Sequence, residues 1–271
     1  MPGKTCGVRF GVWKNRSPRA TTGETEGLPG ALGPLRDAAA PARCGSERPV
    51  SITTILFDAG GTLVFPSFGR IARELAVHGI AVDPAALARA DARVRFEIDR
   101  RDVIAATTDG SRFRRYLDAL VGAAGLAVMP DPVFERLDVY HRVHNLWEDV
   151  PADVPAALER LSGRVRMGVV SNANGTVRAK LARVGLAQYF ELIVDSHEEE
   201  IEKPDPRIFA LALERMGVAA AEAAYVGDLY HVDVVGAVAA GLSAFLLDPF
   251  DLYRDLSVPR IRSLAELPAG P

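Results

Sequence analysis

Short apolar runs in this chain repeatedly end in a reactive polar side chain. Ile55-Leu56-Phe57 leads into Asp58, Val169-Val170 into Ser171 and Asn172, and Ala224-Tyr225-Val226 into Gly227-Asp228, with Asp233 following. Lys203 stands before Pro204 in a polar loop. Acids placed just past buried strands are costly unless paired, hydrogen-bonded or bound to a metal. Asp58 offers a carboxylate nucleophile for phosphorus, giving an aspartyl-phosphate. Asp58 and Asp228 supply the hard oxygen ligands that suit Mg2+, an ion that also lowers repulsion between an anionic nucleophile and an anionic substrate. Ser171 and Lys203 are the side chains to hold the phosphoryl oxygens. Gly60 and Gly61 let backbone N–H groups come close to them.

The elements that must position these groups follow from periodicity. Ser51 to Phe57 is β-branched and apolar, a buried strand running into the turn Asp58-Ala59-Gly60-Gly61-Thr62. From Phe65 to about Val150 the pattern is helical. One helix covers Arg70 to His78, a second runs from Pro84 to about Arg101, a third is capped by Ser111, and a fourth opens at Pro130 or Pro132 and reaches His144. After Pro151, strands over 166–171, 192–195, 224–228 and 243–247 alternate with helices over 176–184, 206–216 and 231–240. The apolar strands do not alternate with polar residues, which fits a parallel sheet covered on both faces. The fold class is α/β: a Rossmann-like parallel sheet core, residues 50–65 and 151–271, with a helical cap, residues 66–150, inserted after the first strand. In such a sheet, sites form at the C-terminal ends of the strands, where the reactive side chains fall.

Composition narrows the partners. The chain has 271 residues and a net charge of −3, with 48% hydrophobic and 25% charged residues. That balance suits a globular protein with a sizeable core and gives no basic field for nucleic acid. No run reaches the roughly 18 apolar residues of a membrane span. Two cysteines, Cys6 and Cys44, make neither a disulfide framework nor a zinc site. Residues 1–49, rich in Gly, Pro, Arg and Ala, are read as a disordered extension or a start called too far upstream, with a transit peptide as the alternative. The expected setting is the cytoplasm, the expected partner a small phosphorylated molecule, and the expected state a monomer or homodimer. His141 and His144 are assigned to a surface or cap–core contact, Glu198-Glu199-Glu200 to a solvated loop, and the arginines of the insert (Arg70, Arg95, Arg100, Arg101, Arg112, Arg114 and Arg115) mostly to surface charge, with one or two facing the pocket to select an anionic substrate. Trp147 is assigned to the hinge.

Each motif is weak alone, since Asp-x-Gly-Gly is a common turn and Ser-Asn a common helix cap. Together and in order, Leu56 to Leu63, Val169 to Asn172, Glu202-Lys203-Pro204-Asp205 and Val226 to Asp233 resemble the four motifs of the haloacid dehalogenase superfamily. The helical insert resembles the cap of its subclass I. The resemblance implies that Asp58 is the nucleophile and that Asp228 and the Gly60 carbonyl ligate Mg2+. It further implies that Asp233 orients the metal shell, Thr62 and Ser171 contact phosphate, and Lys203 steadies nucleophile and phosphate; in the context of the other motifs, Ser171 and Asn172 together are read as a phosphate clamp, so Asn172 is a substrate-binding candidate too. One position departs from the pattern. The family's phosphatases carry a second Asp two residues after the nucleophile, as general acid–base, and here that position is Gly60. A positioned general acid–base contributes roughly 10²–10⁴-fold in rate; Tyr230, His231 or a cap side chain are the candidates to replace it. The function read from this is a Mg2+-dependent phosphohydrolase. The alternatives are a non-hydrolytic phosphate-binding homologue and a 2-haloacid dehalogenase, against which Asp228 argues.

Overall fold

The computed structural model describes residues 51–268; the expectation for residues 1–49 lies outside them. The first strand, β1 (Thr54–Phe57), leads through the Asp58 turn to a two-residue strand, β2 (Phe65–Pro66). Five helices follow: α1 (Phe68–Val77), α2 (Pro84–Ile98), α3 (Arg101–Ala106), α4 (Asp109–Ala123) and α5 (Asp131–His144). The chain returns through β3 (Trp147–Asp149), antiparallel to β2, with Phe65 opposite Asp149 and Pro66 opposite Trp147. The remainder alternates: α6 (Asp153–Leu161), β4 (Arg166–Ser171), α7 (Val177–Arg183), β5 (Leu192–Asp195), α8 (Ser196–Glu199), α9 (Pro206–Met216), β6 (Ala223–Gly227), α10 (Val235–Ala239), β7 (Ser243–Leu247) and β8 (Arg260–Ile261).

The main sheet has the order β5-β4-β1-β6-β7-β8, with every pairing parallel. Successive residues of β1 serve opposite faces. Ile55 and Phe57 pack with Leu158, Leu161 and Leu181 of α6 and α7, while Leu56 packs with Phe209, Leu213 and Ala237 of α9 and α10. Both faces are thus covered, and the strands carry apolar residues without alternation. The sheet is the expected Rossmann-like α/β core. The inserted helices have an apolar cluster of their own, built from Ile71, Leu75, Leu87, Val94, Phe113, Leu117 and Leu137.

Several local expectations change. The long second helix breaks at Asp99, whose carboxylate accepts the backbone N–H of His231 and the hydroxyl of Tyr253 instead of continuing the helix. Thr108, not Ser111, is the N-cap of α4; Ser111 is the reciprocal partner in a capping box. The acidic run around Glu199 is no open loop: Ser196–Glu199 is a helical turn, and Glu199 pairs with Arg215.

Candidate active site

The sheet order explains how distant motifs meet. Phe57 lies beside Val169 of β4 and Val226 of β6, so Asp58, Ser171 and Asp228 emerge from the C-terminal ends of three adjacent strands. Strands in a sheet are about 4.8 Å apart, which is the spacing a shared small ligand needs. All three side chains line one cavity of about 130 Å³, roofed by residues of the insert.

Lys203 organises the floor. Its Nζ donates to Asp58 Oδ1 at 2.6 Å, to Asp233 Oδ1 at 2.7 Å and to the Tyr225 hydroxyl at 2.8 Å. An ammonium has three N–H donors, and all three are used. In this arrangement Lys203 fixes Asp58 and Asp233 on the floor of the cavity, which it lines. Burial acts to depress the Lys203 ammonium, but Asp233 and Asp58 outweigh it and hold its pKa above the ordinary lysine value. Burial also raises the Asp58 carboxyl, against the pull of Lys203. Asp228 is pushed up to about 7 by burial, against Arg95.

Asp233 belongs to a single π-helical turn, Tyr230–Val234. Its Oδ2 accepts the backbone N–H groups of Asp228 and Leu229 at 3.1 and 3.0 Å, while Oδ1 takes Lys203 and Tyr225. Asp233 thus fixes the backbone of Asp228 and Leu229.

Other assigned residues differ in placement. Thr62 lies behind Asp228 and donates to its Oδ1 at 3.4 Å, so its hydroxyl faces the acid and not the cavity. Asn172 lines the cavity, but its amide is spent on the Lys203 backbone, accepting its N–H at 2.8 Å and donating to its carbonyl at 3.0 Å. Gly60 lines the cavity beside Asp58. A Cβ there would lie 3.2 Å from Trp147 Cδ1, so the indole crowds the space beside Gly60. That ring packs with Phe113, Tyr116 and His141 at centroid distances of 5.9, 5.5 and 5.4 Å.

The candidates to replace the acid fare unevenly. His231 is turned to Asp99, its Nδ1 2.8 Å from the Asp99 carbonyl, and donates its backbone N–H to the carboxylate. His141 is half-buried and makes the expected contact between insert and core, its carbonyl accepting Asn174 Nδ2 at 2.9 Å, while its ring stacks on Phe113 at 4.2 Å and lines the cavity. Burial and Lys180 lower its pKa to about 4, so it is neutral near pH 7 and a poor proton donor.

Residues outside the four motifs also reach the cavity. Arg95 and Arg112 are the insert arginines that line the cavity, two of the group from which one or two are expected to face the pocket. The sequence held a clue for Arg95: α2 buries Leu87, Asp91, Val94 and Ile98, so an acid stands on its apolar stripe, one turn from Arg95. Tyr225 read as an ordinary core residue, and nothing in its surroundings in sequence marked it as a partner of Lys203.

Residues 52–241 match the haloacid dehalogenase-like hydrolases. The chain belongs to this family. Among its relatives, a glyceraldehyde 3-phosphate phosphatase of Methanothermobacter thermautotrophicus is 29% identical over 201 residues, 73% of this chain and 86% of its own length. A ribulose-1,5-bisphosphate 5-phosphatase of Halopiger xanaduensis is 30% identical over 205 residues, 73% of this chain and 85% of its own. The crystal structure of a HAD phosphatase from Thermococcus onnurineus superposes with a TM-score of 0.50 at 26% identity, covering 79% of this chain and 95% of that one. The putative HAD-hydrolase YfnB of Bacillus subtilis, solved bound to magnesium, gives a TM-score of 0.60 at 19% identity over 79% of this chain and 95% of its own, a likeness of fold.

The family's use of a divalent ion can be tested against the residues present. Oxygen atoms of Asp58, Asp228 and Asp233 all lie within 4.8 Å of one another, and all three residues are buried. Three buried carboxylates of hard oxygen character suit Mg2+. Among the described residues, Lys203 pairs with Asp58 and Asp233, and Arg95 pairs with Asp228.

Proposed function

We propose that this haloacid dehalogenase-like hydrolase is a Mg2+-dependent phosphohydrolase whose nucleophile is Asp58. The single observation that carries the proposal is the anchoring of Asp58 Oδ1 by Lys203 at 2.6 Å, within the acid cluster at the floor of the cavity. That bond fixes one carboxylate oxygen and leaves the other to attack phosphorus. The P–O bond to the alcohol breaks as the Asp58–phosphorus bond forms, and water later cleaves the aspartyl-phosphate. Asp58, Asp228 and the Gly60 carbonyl would hold the metal, and Asp233 would keep their segment in place. When bound, the ion supplies charge neutralisation at the transferring phosphoryl group. Ser171, which lines the cavity, would contact its oxygens. The inserted helices act as a cap that excludes water while the acyl phosphate exists. The relatives named for sugar-phosphate hydrolysis support a small phosphorylated substrate. Among the described residues no helix is long and apolar enough to cross a membrane; a cytoplasmic monomer or homodimer completes the proposal.

Gly60 shapes the kinetics. With glycine in the acid's place, the alcohol departs without a proton from that position. Hydrolysis should then depend steeply on leaving-group pKa, with aryl and acyl phosphates far ahead of alkyl ones. A rate series over substituted phenyl phosphates with Mg2+ measures this, using Asp58→Asn as the control that loses turnover. A flat series with chemistry rate-limiting refutes the missing-acid account, and activity surviving Asp58→Asn refutes the nucleophile. The same Gly60–Trp147 contact favours one second reading, a homologue that binds phosphate without hydrolysing it; phosphate binding with no release from any ester would select that reading.

A further inference from the structure

We propose that Arg95 is a cation carried by the helical insert that holds the Asp228 carboxylate until a divalent ion takes it, so that metal binding and the seating of the insert compete for one side chain. The inference rests on the metal reading of the proposed function and goes beyond it by assigning a residue outside the four motifs. Arg95 lies on α2, yet its Nη1 donates to Asp228 Oδ2 in the core. The contact is built, not incidental. Arg95 Nε donates to Asp91 Oδ2 at 2.9 Å, and the Tyr116 hydroxyl donates to Asp91 Oδ1 at 2.6 Å. Side-chain exposure falls from 12% at Arg95 to 4% at Asp91 and 2% at Asp228. A two-point bracket on a planar guanidinium fixes its direction.

The backbone beneath is shaped for the pair. Gly61 has φ +84°, and a Cβ there would lie 2.6 Å from Asp228 Oδ2 and 2.7 Å from Arg95 Nη1. Any side chain at that position would enter the space the ion pair occupies. The other oxygen of Asp228 accepts the Thr62 hydroxyl at 3.4 Å, so both oxygens have protein partners. A divalent ion and a guanidinium cannot share Oδ2 without strong repulsion in a site of low dielectric. Arg95 therefore leaves Oδ2 when the ion binds, and α2, which carries it, loses a tie to the core.

The test uses the full chain. Mg2+ is titrated calorimetrically into the wild type, Arg95→Met and Arg95→Lys, with Asp228→Asn as the non-binding control. Amide hydrogen exchange is read in α2 and α4 with and without Mg2+. The expected result is Mg2+ binding about tenfold tighter in Arg95→Met, with Arg95→Lys between the two. In the wild type, Mg2+ should raise exchange in α2; in Arg95→Met that exchange should already be raised and no longer respond. The exchange readout separates competition from the general effect of deleting a nearby positive charge, which alters affinity but not the insert. Equal Mg2+ affinity in the wild type and Arg95→Met, or an undiminished exchange response in the variant, overturns the proposal and leaves the phosphohydrolase reading standing. No Mg2+ binding by either protein overturns both. Should Arg95→Met not fold, Arg95→Lys, which keeps a charge on a shorter reach, must show tighter Mg2+ binding and a weakened exchange response, and the proposal fails if it does not.

Discussion

At the scale of single residues, chemistry and packing compete for the same few cubic ångströms. Restoring an acid at position 60 shows the conflict. Even a Cβ would press on Trp147, and an aspartate adds a carboxyl group beyond it. Gly60→Asp alone should lower stability by roughly 1–3 kcal/mol, the usual range for overpacking, with no gain in alkyl-phosphate turnover. Paired with Trp147→Leu, it should gain turnover; urea denaturation and a phosphate-release assay on both variants check this. His141 gives a pH signature. Its folded pKa of about 4, lowered mainly by burial, lies below the ordinary 6.5. The unfolded chain therefore binds more protons between those values. The stabilising contribution is full above about pH 6.5 and is lost as pH falls toward 4, up to about 3 kcal/mol. The drop in urea stability from pH 7 to pH 4.5 should be smaller in His141→Gln than in the wild type.

At the scale of elements, the strands were the most legible part. The bounds of β4, β5 and β7, and of helix α9, match their expected residues, because short apolar runs between glycines, prolines and caps have one plausible solution. The motif residues at the strand ends were legible for the same reason. What sequence periodicity could not show were features defined by distant partners. The break between α2 and α3 depends on Tyr253 and His231 reaching Asp99. The roles of Arg95 and Tyr225 depend on Asp228 and Lys203 respectively, neither of which is near its partner in the chain. Strand β8 is only two residues long, too short for a period. Helix α6 was overlooked although Val154, Ala157, Leu158 and Leu161 carry a helical stripe. The Asp99 junction itself is testable. Burial raises Asp99 to about 6, opposed by the Tyr253 hydrogen bond. The unfolded carboxyl ionises first, so this group's contribution falls as pH rises through that window. Tyr253→Phe should cost about 1.5–3 kcal/mol at pH 7, where the hydroxyl meets a carboxylate, and less at pH 5, as read by urea denaturation at each pH.

At the scale of the whole molecule, the proposed metal site would tie stability to the ion. A ligand that binds only the folded state adds about 2.7 kcal/mol at one hundred times its Kd. Saturating Mg2+ should therefore raise Tm by several degrees in calorimetry, and Asp228→Asn should abolish the shift. Equal melting of wild type with and without Mg2+ would count against a metal at this site. The ribbon of β2 and β3 has a separate consequence. Pro66 and Trp147 are cross-strand partners, and the Ser67 N–H bonds to the Leu146 carbonyl at 2.9 Å. The eighty or so residues between depart and come home through one doorway, closed like the mouth of a hairpin. A tight turn could bridge that doorway, and a foreign helical module could be spliced into it, with the parallel sheet left uncut. Recombination at these two positions is thus a ready route by which a scaffold of this kind acquires a new roof, and with it a new clientele.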